Sequence, residues 1–230
     1  MILYLIRNRP VLWLLLAGIT AAAQAQEIPW DSTARPEIYR TRVELFRTFP
    51  QSPQDIVFIG NSITFWADWN ELTGSLSVKN RGIPGDITFG LLERLGDVVK
   101  GKPAKIFILI GINDLARNIP DDVIINNHLR MVRQIQSGSP ATRIYLQTLL
   151  PTNRSFDKLK SHYNKEERIR AINRALHEMA ASQGCTLVDL YTHFADSEGQ
   201  LKQEYTWDGV HLTPAGYARW IEILREGNFL

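Results

Sequence analysis

Apolar side chains gather in five short runs, at 55–60, 77–81, 105–111, 143–150 and 186–191, rich in β-branched residues. The run Ile106-Phe107-Ile108-Leu109-Ile110 shows no polar alternation, which requires cover on both faces. That pattern suits strands of a parallel sheet. Between the runs the period lengthens to that of amphipathic helices. Leu91, Leu92, Leu95, Val98 and Val99 form one stripe over 88–100. Val123, Ile124, Leu129, Val132 and Ile135 do so over 121–136, and Ile169, Ile172, Leu176 and Met179 over 165–183. A last helix starts at Pro214, with Thr213 as its N-cap and proline in the first position.

Strands alternating with helices imply βαβ units joined by right-handed crossovers. The expected fold class is α/β: a three-layer α/β/α sandwich with a central, mainly five-stranded parallel sheet. With 230 residues, 44% of them hydrophobic, the chain can bury one sizeable core. Residues 55–230 then form one domain. Residues 26–54, with Pro29, Pro36, Pro50 and Pro53, read as an arm plus one short helix packed on it. Residues 151–163 form a polar connection beside the strand ends, a candidate substrate lid. Ligands of open parallel sheets bind outside the carboxyl ends of the strands.

The first 25 residues obey a different logic. Arg7 and Arg9 precede the apolar run 11–19, and small residues lead to Ala23-Gln24-Ala25. This is the layout of a secretory signal peptide, with an apolar run short of the about 20 residues a membrane span needs. The expected protein is therefore exported, periplasmic or secreted, starting at Gln26 with no stable membrane insertion; an uncleaved anchor is the alternative. The formal net charge of +2 rests on those two arginines, so residues 26–230 carry equal numbers of acidic and basic side chains. Nothing resembles the basic stripe that nucleic-acid binding requires, and no nucleic-acid partner is expected. Cys185, the only cysteine, excludes an intramolecular disulfide and sits in a run where a small buried side chain fits.

Four stretches carry candidate chemistry. Ser62, in Gly60-Asn61-Ser62-Ile63-Thr64, comes directly after the first strand, where a helix begins and backbone N–H groups point outward. Its hydroxyl is either a nucleophile or a helix cap. The second strand ends in Gly82-Ile83-Pro84-Gly85-Asp86, where a glycine can turn its N–H toward a reacting centre or simply serve a turn. After the third strand, Asn113 in Gly111-Ile112-Asn113-Asp114 can aim an amide at a developing oxyanion or bond its own loop. Asp208 and His211, three apart before the last helix, can supply a base and its orienting acid. His128, His162, His177 and His193 are not expected to have such partners; His128 and His177 fall on helical segments, solvated or packed.

The four stretches, in this order, resemble the block motifs of the SGNH, or GDSL-like, hydrolases, over about residues 55–217. The Gly-Ile-x-Gly-Asp pattern at 82–86 is similar to that of platelet-activating-factor acetylhydrolase-like members. The resemblance implies the flavodoxin-like SGNH fold and a serine ester hydrolase. It places Ser62 as nucleophile and His211 as base with Asp208 behind it. The N–H of Ser62, Gly85 (or less closely Gly82) and Asn113 would form the oxyanion hole. One departure stands: the usual Gly-Asp-Ser is here Gly60-Asn61-Ser62. No metal or organic cofactor is implied. Substrate expectations favour short acyl groups, such as O-acetyl, on carbohydrate, with small-molecule or glycan esters as partners. Phe65, Trp66, Trp69 and Trp207 serve either as core or, for Trp66 and Trp207 above all, as a platform for a sugar ring. Lysophospholipid or thioester hydrolysis, a silent carbohydrate-binding domain and a nucleotide-binding flavodoxin-like protein are the competing readings. Oligomeric state is not encoded in any of these features.

Overall fold

A computed structural model describes residues 30–230. The signal-peptide reading of 1–25 lies outside the described residues. Five strands pair in parallel: β1 (Ile56–Gly60), β2 (Val78–Gly82), β3 (Lys105–Leu109), β4 (Arg143–Gln147) and β5 (Thr186–Val188). Their order across the sheet is β2-β1-β3-β4-β5. The chain moves outward from β1 to β2, then crosses back to pair β3 on the other side of β1. The carboxyl end of β1 is therefore the topological switch point, where the flanking loops diverge and leave a crevice.

Side chains alternate between two cores, as they must on a pleated strand. Phe58, Phe107 and Tyr145 share one register row and stack across β1, β3 and β4 with centroids 4.6 and 4.3 Å apart. Trp69 of α3 (Trp69–Thr73) and Trp220 of α9 (Pro214–Glu226) close this face. On the opposite face Val57, Ile59, Ile106 and Ile108 meet Leu91 and Leu95 of α4 (Thr88–Val99) and Met131 and Ile135 of α6 (Asp121–Gly138). Helix α7 (Glu166–Gln183) packs beside α6 over β4 and β5. Helix α1 (Tyr39–Thr48) lies outside the main sandwich, with Val43 and Phe46 against Ile83.

The apolar runs overshoot the paired strands. Those beginning at 105, 143 and 186 continue past Leu109, Gln147 and Val188 because Ile110, Leu149, Leu150 and Leu190 stay buried after pairing stops. Apolarity reports burial, whereas a strand is defined by its ladder. The remaining α-helices are single turns, α2 (Ser62–Phe65), α5 (Ile112–Ala116) and α8 (Tyr191–Phe194), too short to show a helical period. The polar connection 151–163, the candidate lid, is tied to the loop at 208–209 at two points. The Asn153 N–H donates to Gly209 O at 2.8 Å, and Tyr163 Oη donates to Asp208 O at 2.5 Å. Among the described residues, no helix is long and apolar enough to cross a membrane.

Candidate active site

Register places three of the four stretches side by side. Gly60 pairs with Gly82 on one side and with Leu109 on the other. Ser62, Gly85 and Asn113 come within four residues of those partners, so the first is flanked by the loops carrying the other two. The Asn61 side chain caps α2, its Oδ1 accepting the Ile63 N–H at 3.0 Å. Ser62 thereby enters the turn at its first position, at the positive end of the short helix.

The fourth stretch arrives from the C-terminal end. Ser62 Oγ lies 2.8 Å from His211 Nε2, and His211 Nδ1 lies 2.6 Å from Asp208 Oδ2. The other carboxylate oxygen, Asp208 Oδ1, accepts the N–H groups of Val210 at 2.9 Å and His211 at 2.7 Å. Thr206 closes the loop: its hydroxyl donates to His211 O and accepts the Gly209 N–H. The Asp208 side chain is 3% exposed and that of His211 16%. The carboxylate is thus walled in, while the ring keeps one edge at the surface. Asp208 acts only as acceptor toward Nδ1, so that nitrogen carries the proton and Nε2 offers its lone pair to the serine hydroxyl.

The two candidate glycines differ in hydrogen bonding. The Gly82 N–H is taken by Asn80 Oδ1 at 2.8 Å, and a Cβ there would stand 2.4 Å from Phe65 N. Gly82 permits close approach of α2 and has no N–H to spare. Gly85 adopts φ +77°, a left-handed conformation that favours glycine. Its loop is pinned by Arg94, which binds Asp86 Oδ2, Arg81 O and Gly60 O at 2.7–2.9 Å. Asn113 Nδ2 donates to Asp86 O at 2.9 Å, which locks the second and third loops together. Asp114 adds a further tie: its carboxylate accepts Thr88 Oγ1 at 2.6 Å and the Thr88 N–H at 3.1 Å. Burial nevertheless pushes the Asp114 carboxyl up to about 7.

A sequence profile for the GDSL-like lipase/acylhydrolase family matches residues 58–219. The chain belongs to this family. Platelet-activating factor acetylhydrolase IB subunit alpha2 of Rattus norvegicus is 29% identical over 178 residues, 75% of each chain. A solved structure from Streptococcus pneumonia, named for platelet activating factor, superposes with TM-score 0.73 at 32% identity. The match covers 83% of this chain and 90% of that one. An acylhydrolase from Bacteroides fragilis gives TM-score 0.72 at 27% identity, over 82% and 94% of the two chains. The α/β expectation and the SGNH resemblance both hold, and the protein is an acylhydrolase of the esterase and lipase class.

Around this acylhydrolase's serine, the aromatic residues divide. Trp69 is fully buried and stacks on Phe58, hence core. Trp66 and Trp207 are 58% and 52% exposed. The Trp207 ring lies nearly parallel to the His211 ring, centroids 5.5 Å apart. Cys185 is half-buried, and burial pushes its thiol up to about 11, far from a thiolate at neutral pH. His128 is wholly buried on α6, bonded to Ile124 O.

His162 corrects the sequence reading. Along the chain its ring meets only Ser161 Oγ, 3.3 Å from Nδ1, yet its Nε2 lies 3.0 Å from Asn113 Oδ1. It occupies the 3₁₀ turn Lys160–His162, which packs against α5. No periodicity could have revealed a contact between residues 49 apart in two irregular segments. Arg94 was equally hidden, a charged position inside an apolar stripe.

Proposed function

We propose that the enzyme is a serine esterase removing short acyl groups by a two-step acyl-enzyme mechanism. Ser62 Oγ attacks the ester carbonyl while His211 Nε2 accepts its proton. The tetrahedral oxyanion is received by the N–H groups of Ser62 and Gly85 and by the amide of Asn113. His211 then protonates the leaving alcohol, and water repeats the sequence on the acyl-enzyme. Asp208 holds the ring in the required tautomer and stabilises its charged form. The observation that carries this reading is the continuous hydrogen-bond series from Ser62 Oγ through both His211 nitrogens to a buried carboxylate.

For the acyl group, similarity to proteins named acetylhydrolases supports acetyl. For the alcohol, we favour carbohydrate: two exposed indoles, Trp66 and Trp207, offer flat apolar faces of the kind a sugar ring stacks on. A second reading, acetyl esters of phospholipids, draws on the same relatives, whose name specifies platelet-activating factor. The basic, apolar, small-residue order of residues 1–25 supports export.

Hydrolysis of p-nitrophenyl acetate and covalent labelling of Ser62 by a serine-directed phosphonate test the mechanism. Ser62→Ala should lower kcat at least about a thousandfold; full activity in that variant ends the proposal. Acetate release from acetylated oligosaccharide, set against release from an acetylated choline phospholipid, separates the two substrate readings.

A further inference from the structure

The amide of Asn113 is held at both ends, and the partner at its oxygen is a histidine. Asp86 O can only accept, so the Asn113 atom 2.9 Å away is the NH2 group, and the orientation of the side chain is thereby set. Asn113 Oδ1 then faces His162 Nε2, which must carry a proton to bond it at 3.0 Å. One N–H of the amide is committed to Asp86 O. With the amide plane fixed by two bonds, the second N–H has one direction left, set by this pair of contacts.

We propose that His162 is a positioning residue for the oxyanion hole, orienting and polarising the Asn113 amide through Nε2–H···Oδ1. This rests on the oxyanion role assigned to Asn113 above. The physical reason is cooperative: a hydrogen bond donated to an amide oxygen withdraws charge and makes its N–H groups stronger donors. An oxyanion forming opposite that N–H gains more than the neutral ester does, so the benefit falls on the transition state.

Two features make His162 suited to the task. Burial, reinforced by His211 whenever that ring is protonated, holds its pKa below the ordinary histidine range. The ring therefore stays neutral and presents a single N–H, and does not place a second positive charge beside His211 when that residue takes the serine proton. The turn that bears it is also anchored to the other half of the site. Adjacent Tyr163 donates its hydroxyl to Asp208 O and accepts the N–H groups of Lys158 and Leu159. One short segment thus braces the acid behind the base and the amide at the oxyanion.

The test is a double-mutant cycle read with p-nitrophenyl acetate and an aryl trifluoromethyl ketone, whose hydrate-like adduct with serine carries the oxyanion. His162→Phe should lower kcat about tenfold, the value of one neutral hydrogen bond, with KM nearly unchanged. Affinity for the ketone should weaken by the same factor. Asn113→Ala alone should cost about a hundredfold or more, and adding His162→Phe to it should change kcat less than about twofold. His162→Gln, which can return an N–H to the same place, should recover most of the loss; it also answers any folding defect of the phenylalanine variant. The proposal is overturned if His162→Phe keeps wild-type kcat, if its effect persists undiminished on top of Asn113→Ala, or if a well-folded His162→Gln is as impaired as the phenylalanine. Any of these with Ser62→Ala inactive removes the positioning role alone. An active Ser62→Ala removes the serine mechanism beneath it.

Discussion

Exchanging Asp208 for asparagine alters the proposed mechanism at a single proton. The carboxylate has two distinct jobs: Oδ1 accepts two backbone N–H groups at 2.9 and 2.7 Å, and Oδ2 accepts His211 Nδ1 at 2.6 Å. In Asp208→Asn only the amide oxygen can serve the two N–H groups, so the NH2 must turn toward Nδ1. Nδ1 then has to accept, the ring proton moves to Nε2, and Nε2–H faces the serine hydroxyl 2.8 Å away. The ring stays in place but cannot take a proton. The same exchange in a serine protease lowers kcat by about 10⁴, equivalent to about 5 kcal/mol of barrier. Volume and the two backbone bonds are kept, so the melting temperature should change little. Turnover of p-nitrophenyl acetate, measured beside a thermal melt, gives both numbers. A folded Asp208→Asn that loses less than about a hundredfold, the low end for general acid–base catalysis, would refute the tautomer argument.

Two further outcomes rest on local geometry. Asp114 has its carboxyl raised from 3.8 to about 7 by burial, so the folded chain holds that proton more tightly than the unfolded one. Its contribution to stability is greatest at low pH and falls as pH rises toward 7; at about 1.4 kcal/mol per unit, roughly 3 kcal/mol is lost between pH 5 and 8. Denaturant titrations at both pH values should show that loss in the parent but not in Asp114→Asn; equal slopes would dismiss the burial argument. Asn61→Ala removes the cap of α2 and should cost about 1 kcal/mol in the same titration, whereas Asn61→Asp keeps the acceptor and should stay within about 0.5 kcal/mol of the parent. A larger loss in the aspartate variant would mean that the amide NH2 has a role of its own.

The last of these bears on how much the sequence could reveal. The position before Ser62 departs from the family's aspartate, yet the cap needs only a side-chain oxygen, and Asn61 provides one. Strands were legible because β1 and β3 are covered on both faces, which leaves near-continuous apolar runs. Helix α9 was legible because Thr213 accepts the Gly216 N–H as an N-cap should, with Pro214 at the first position. Ser62, Asp208 and His211 stood out only together: a serine directly after a strand, and an Asp/His pair three apart just before a helix, in the chain order of the family's motifs. His162, Tyr163 and Arg94 did not, for one common reason: each acts through a partner distant in sequence, met only once the sheet has folded. The fastening of the candidate lid at 151–163 was hidden in the same way, since a polar stretch carries no mark of the bonds that hold it.

That fastening has a consequence for how such an enzyme can diversify. Connections beyond strand ends are where insertions usually alter which molecules are accepted. Here the segment 151–163 is tied to the Asp208 loop through Asn153 and Tyr163 and to Asn113 through His162, so lengthening it near those residues would loosen the proposed site together with the recognition it provides. Growth disturbs those ties least at the exposed Asp157, whose contacts are with Arg154 and Lys160 of the same segment. New preferences are more readily acquired by repainting the rim, at positions such as Trp66 and Trp207, than by remodelling the chain that carries it.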